Sequence, residues 1–429
     1  MMAGLIASGI FVVSLFLIFT EKINRFIAAV AGAAFMLIAG QLLGFYTEEQ
    51  ALASIDIRTV GLLLGMMILV ALLEPTGFFQ YLAVMAGRFS KGNPTRLFFL
   101  LGSITTLLSM FLDNVTTVVL IAPVTILICE ILGMSPAPFL ISEALLSNTG
   151  GVATLVGDPP NALIASASGL TFNDFLIYSL PVILIVWLVA LFLLRYLFRN
   201  ELSVVPANAA SILSLNPSAA LEDKKTARRV LIVLAGTIVL FFLQKPLGIS
   251  PAYIATLAAA VALLWVRPDV RKMLEKIEWS VLGFFIALFV LVGGLEAAGV
   301  LGALARLVAQ TGSANPVLFG VSLLWMVAGL SAVVDNIPIT IALIPVIQGL
   351  GASGLNTTPL WWALAFGAGL GGNGTLIGST ANIVVASLSE RTRTPITSKL
   401  WNKRGLPVML VTLLVTTVLY LIAYPFYAR

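Results

Sequence analysis

Long apolar runs separated by short polar connections dominate the chain. Stretches of the roughly 17–25 residues that a helix needs to cross a bilayer fall near 4–20, 25–45, 59–74, 175–195, 229–246, 250–266, 279–298 and 405–424. Two more, near 138–169 and 359–388, are as long but carry glycine, proline and polar residues at their centres, so each reads as a crossing in which the helix breaks. The segments 97–132 and 316–351 are apolar on both sides of a central Asp-Asn pair, and each reads as a re-entrant helical hairpin. The pattern predicts an all-α integral membrane fold of about ten crossings, two hairpins and two broken helices.

The pattern also repeats. Leu73-Glu74-Pro75-Thr76-Gly77 returns as Leu295-Glu296-Ala297-Ala298-Gly299, and Asp113-Asn114 with Pro123 returns as Asp335-Asn336 with Pro345. Thr154-Leu155-Val156-Gly157 with Asn161 returns as Thr375-Leu376-Ile377-Gly378 with Asn382. Paired, Gly/Pro-interrupted apolar segments in the two halves of a chain mark a secondary transporter and point to its binding site. The chain therefore divides into N-terminal scaffold helices (1–58), a first repeat (59–199), a polar linker (200–228), further scaffold helices (229–278) and a second repeat (279–429).

Charge sets the threading. If the loop holding Lys22 and Arg25 is inside and the hairpins return to their starting side, only Arg58, Lys245, Arg306 and Arg429 of the 24 Lys and Arg fall outside. That obeys the positive-inside rule. It puts both termini outside an inner (plasma) membrane and runs the two repeats in opposite directions. The chain is 59% hydrophobic and 10% charged, far from the quarter or so that is charged in soluble domains. The net charge of +5 lies in short loops and gives no nucleic-acid footprint. With one cysteine, Cys129, and no histidine, an internal disulfide, a thiolate metal site and a His-based triad are excluded. Neither a cofactor nor a resident metal is implied, and an enzyme is not expected.

Polar groups in hydrocarbon are expensive and functional by default. Asp113 and Asp335 sit at hairpin turns where a new helix begins, so both are expected to cap it while facing the interior. Asn114, Thr116, Thr117, Asn336 and Thr340 flank them. In the first broken helix Asn148, Thr154, Asp158 and Asn161 are candidates, with Asp158 read as a cap ahead of Pro159; in the second, Asn373, Thr375, Ser379 and Asn382. Unwound backbone at this depth is tolerated where it is buried in protein or lines a wet cavity. Glu143, in an otherwise apolar run, is a secondary proton candidate. Glu74 and Glu296 read as hinge or interfacial residues, and Glu130 as wetted near the inner end of its hairpin. The threading gives none of these acids a Lys or Arg partner at its own depth.

Phe111-Leu112-Asp113-Asn114-Val115-Thr116-Thr117, continuing to Ile121-Ala122-Pro123-Val124, resembles the first hairpin of one branch of the ion-transporter superfamily. That branch holds the arsenical-pump proteins, the D-type sodium/proton antiporters and the melanosomal P protein. Glu143, Asn148 to Gly151 and Thr154 to Asn161 resemble its first broken helix, and the likeness covers nearly the whole chain. The resemblance implies a scaffold, a mobile transport domain of both hairpins and both broken helices, and often a homodimer. In arsenical systems it also implies a soluble ATPase partner.

A cavity of amides, hydroxyls and carboxylates without a fixed positive side chain suits a neutral trihydroxide or a small cation better than a free anion. The expected function is arsenite or antimonite efflux by proton antiport. The alternative is sodium/proton antiport, and an organic or inorganic anion symporter comes behind both.

Overall fold

The computed structural model describes residues 2–20, 23–204, 206, 208–303 and 315–428. Lys22, Arg306 and Arg429, which enter the charge count, lie outside these residues. Among those described, every regular element is helical. Seven helices are long and apolar enough to span a bilayer: Arg25–Leu43, Ile57–Thr76, Asn114–Leu132, Phe172–Leu197, Lys224–Leu247, Trp279–Ala297 and Ser398–Tyr427. Shorter apolar helices at Met2–Ile18, Pro251–Val266, Pro316–Ser331, Asn336–Ala352 and Thr380–Ser389 accompany them. Leu5, Leu42 and Leu264, each 70% exposed or more, point outward as lipid-facing residues do.

The hairpins form where the Asp-Asn pairs predict. Helices Pro94–Ser109 and Asn114–Leu132 meet at a turn ending in Asp113, and Pro316–Ser331 and Asn336–Ala352 meet at one ending in Asp335. Asn93 and Asn315 cap the first arms, each with proline in the first turn, where its missing N–H has no partner to lose. The broken helices also form. Ala137–Gly151 stops and Pro159–Ser168 resumes; Thr358–Gly371 stops and Thr380–Ser389 resumes.

The packing repeats as the sequence does, and it includes the helices assigned to the scaffold. Met2–Thr20 packs on Arg25–Leu43 as Lys224–Leu247 packs on Pro251–Val266. Arg25–Leu43 then lies along Trp279–Ala297 of the second half, while Pro251–Val266 lies along Ile57–Leu73 of the first. Each broken helix packs on its own hairpin's first arm, but its resumed half-helix packs on the second arm of the other hairpin. The halves are thus interlocked rather than side by side. One close crossing is at Gly65, where an added Cβ would lie 2.6 Å from the backbone carbonyl carbon of Ala255, so only glycine lets these helices approach.

The 200–228 linker is more than a tether. Ile212 and Leu202 are buried, Glu222 N donates to Thr76 O at 2.9 Å, and the chain packs against the first half.

Candidate functional site

Breaking a helix inside a membrane frees carbonyls that must find donors. Both halves solve this identically. Asn161 Nδ2 donates to Gly151 O (3.0 Å) and Thr154 O (2.7 Å), and Asn382 Nδ2 to Gly372 O (2.8 Å) and Thr375 O (3.0 Å). Thr154 and Thr375 hydroxyls donate to Met110 O and Ala332 O at the hairpin turns. Ser109 and Ser331 hydroxyls return the contact, each at 2.7 Å, to Ser147 O and Ala368 O. Gly157 is required: its Cβ would meet Ser109 O at 2.6 Å and Gly151 O at 2.7 Å.

Asn148 joins the halves. Its amide donates to Asn373 Oδ1 and Asn382 Oδ1, both at 3.0 Å, and its Oδ1 accepts from Asn114 Nδ2 (2.9 Å) and Ser379 Oγ (3.0 Å). Two donors and two lone pairs are all an asparagine has. Asn373 is fixed further by Thr149, whose hydroxyl accepts at 3.3 Å. Asn161 and Asn382 therefore hold the backbone while Asn148 and Asn373 hold neighbouring side chains, and these amides are not left free for a solute.

What faces open space is a chamber of about 290 Å³. Asp113, Asn114, Thr116, Asp158, Asp335, Asn336 and Ser379 line it, as does Thr380. Both hairpin tips and both breaks therefore meet at one place. Thr117, Asn148, Thr154, Asn161, Thr340, Asn373, Thr375 and Asn382 do not line it. Thr340 bonds back to Asn336 O at 2.8 Å, and Thr117 Oγ1 has no partner. Glu143 lies apart, fully buried. Its Oε1 accepts from Thr125 at 2.6 Å and its Oε2 has no partner.

The aspartates are not equivalent. Asp113 Oδ1 accepts from Thr116 N at 2.9 Å and caps its helix as expected. Asp335 and Asp158 occupy cap positions but their side chains do not cap. Asp158 Oδ2 accepts from Asn336 Nδ2 at 2.8 Å, binding the first break to the second hairpin tip. Asp335 Oδ2 turns instead to Arg25 Nη1 at 2.7 Å and Thr380 Oγ1 at 3.0 Å, and Arg25 Nη1 also reaches Thr380 Oγ1 at 2.6 Å.

This ion pair corrects the expectation that the acids lack a basic partner and that the cavity lacks a fixed positive charge. Arg25 was counted as a loop residue, but it opens the Arg25–Leu43 helix behind the Asn24 cap, and its long stem carries the guanidinium inward over Phe284. Glu74 likewise has a partner, Lys276 Nζ at 2.5 Å, at the chamber's mouth. Glu278 lines the same mouth. Partial burial and the charge of Asp113 push its carboxyl up to about 7, against the pull of Arg25, although solvent at the mouth tempers the effect. Arg25, Thr380 and Glu278 were the residues sequence reasoning missed. Glu275 completes an acidic majority, six carboxyls against Arg25 and Lys276.

A helical membrane fold with paired broken helices around one polar chamber defines a membrane transport protein rather than an enzyme. The comparisons place it further. Residues 15–367 match the CitMHS family, described as citrate transporter, and the chain belongs to that family. It is 38% identical over 416 residues to a 46 kDa membrane protein of Mycobacterium leprae, covering 96% of each chain. With the human P protein it shares 34% identity over 98% of this chain and 60% of that one. The expected likeness to P protein is thus present. The YdaH transporter of Alcanivorax borkumensis superposes with a TM-score of 0.59, covering 88% of this chain and 87% of that one. At 18% identity this is a likeness of fold.

Proposed function

We propose that this protein is a proton-coupled secondary carrier that exchanges a small monovalent cation, sodium being the simplest, for protons. The observation that carries this is the meeting of Asp113, Asp158 and Asp335 around one chamber in which the one base beside them, Arg25, is already paired with Asp335. Apolar side chains make up much of the lining, and its polar groups are mainly oxygen acceptors, which suit a cation. Among the described residues no group of three or more acids is placed to cage a metal ion. A cation would then be held by one or two carboxylates with hydroxyls and carbonyls, a weak site suited to release.

Arg25 acts as a built-in stand-in for that cation. With the site empty it neutralises Asp335 and ties the Arg25–Leu43 helix to the second hairpin tip. A cation or proton arriving at Asp335 releases the guanidinium, and the hairpins and half-helices become free to move relative to the long helices. The expected threading opens the Glu74–Lys276 mouth to the cytoplasm, so loading from inside gives export.

Arsenite or antimonite export is the second reading, favoured by the hydroxyls of Thr116, Ser379 and Thr380 in the lining, which could donate to a neutral trihydroxide. The family's description raises citrate, but a trianion beside this acidic majority would need to enter with a bound cation.

Reconstituted vesicles with an imposed pH gradient separate these cases. Sodium should dissipate the gradient, with little effect of arsenite or citrate. Dissipation by arsenite alone, or by citrate alone, overturns the cation reading.

A further inference from the structure

A second cavity, of about 650 Å³, lies at the opposite end of the Ile57–Leu73 helix from the acidic chamber. The acidic chamber takes that helix from Leu62 to Glu74, whereas the second cavity takes it from Ile57 to Leu62. Seventeen residues span about 25 Å, so the two openings face opposite surfaces. Their chemistry is opposite too. Arg58 and Lys245 line the second cavity, and they are two of the four basic residues that the charge count places outside. Neither makes an ion pair among the described residues. Asp56 is near in sequence, but its carboxylate accepts from Arg58 N, Thr59 N and Thr59 Oγ1 and does not line the space.

The cavity also has unmet polar groups. Gln244 is 4% exposed and its Nε2 donates to nothing, and Ser250 Oγ is likewise without a partner. Buried polar groups are normally paired, so two unpaired ones lining the same cavity point to a hydrogen-bonding group from outside the chain. The rim is different: Ile57 and Tyr253 are 75% and 73% exposed, an apolar and an amphipathic side chain at a helix end. Two exposed cations at the opening, two buried and unmet hydrogen-bonding groups behind them, and exposed apolar surface alongside match a phosphate that carries acyl chains.

We propose that this cavity binds the headgroup phosphate of an anionic phospholipid. It is walled by the Ile57–Leu73 and Pro251–Val266 helices on one side and by Ala162, Ala165 and Ser166 of a resumed half-helix on the other. A bound lipid would therefore bridge the scaffold to a part of the chain that the transport cycle moves.

The test uses the full chain in nanodiscs of mixed phosphatidylglycerol and phosphatidylcholine, with retained lipid read by native mass spectrometry. Wild type should retain phosphatidylglycerol selectively, and the R58Q/K245Q pair should lose it by roughly tenfold or more, from about 1 kcal/mol per basic group. K245R should keep it. If the double variant melts early, K245Q alone is compared with wild type. Equal retention of both lipids, or retention unchanged in the variants, overturns the proposal. So does a melting shift with inorganic phosphate in detergent without any lipid preference, which would assign the cavity to a soluble anion.

Discussion

The two hairpin tips are built alike and behave differently. In each, a serine and a threonine lock the turn to the neighbouring break, and an asparagine ties up the carbonyls that the break releases. Asp113 then spends its carboxylate on its own helix, while Asp335 turns across to Arg25 and Thr380. Arg25 comes from the first half and has no basic counterpart in the second, where Ser250-Pro251 opens the equivalent helix. Duplication preserved the framework that hydrogen bonds enforce, and one unduplicated side chain divided the labour of the two acids. A near-symmetric framework thus carries an asymmetric charge arrangement.

The strongest way to break this comparison is to neutralise each acid. Asp335→Asn should lower sodium-dependent proton flux in vesicles by roughly 100-fold, the equivalent of about 2.7 kcal/mol. Asp113→Asn should lose much less, because asparagine caps a helix about as well as aspartate. Equal losses would erase the distinction. The framework should instead respond in both halves. Asn161→Ala and Asn382→Ala each strand two backbone carbonyls and should cost about 2–4 kcal/mol, seen as drops in melting temperature, with the larger drop for Asn382→Ala because Asn148 Nδ2 also loses its acceptor. A larger loss at Asn161 would show that the clamps have diverged in another way.

Arg25→Gln removes the internal cation, so half-saturating sodium should fall several-fold while stability drops by about 1–3 kcal/mol. Weaker sodium binding in that variant would show Arg25 to be a substrate ligand instead. The smallest effect is expected at the mouth. Burial and the charge of Asp113 push the Glu278 carboxyl up to about 7, so its protonation should change near neutral pH. As pH rises it should compete for Arg25 and free Asp335, so sodium uptake rises through pH 7. Glu278→Gln should flatten that limb of the pH profile and leave flux at low pH unchanged.

The hairpins, the breaks and the meeting of Asp113 with Asp335 were legible because each rests on local chemistry: Asp-Asn before a helix, glycine and proline inside one. The internal roles of Asn148, Asn161, Asn373 and Asn382 were not. A polar residue at a break looks the same in sequence whether it holds backbone or faces solvent. Arg25 was hidden for a different reason. A charge at the edge of an apolar run reads as a loop anchor, and a long side chain can travel several ångströms from where its Cα sits. The scaffold helices were set outside the repeat because they carry no shared motif; their equivalence emerges only in how they pack.

The interlocking of the halves has a consequence for biogenesis. As the chain leaves the ribosome, the Ile57–Leu73 helix must wait for Pro251–Val266, and Gly65 stays without its close neighbour Ala255 until more than half the protein has been made. The first hairpin waits still longer, for Thr380–Ser389. A truncated product ending in the linker would expose these seams to lipid with its buried amides unmatched. Quality control in the membrane would therefore meet a nascent half-carrier as an unfinished surface, and neither half should be separable as an autonomous folding unit.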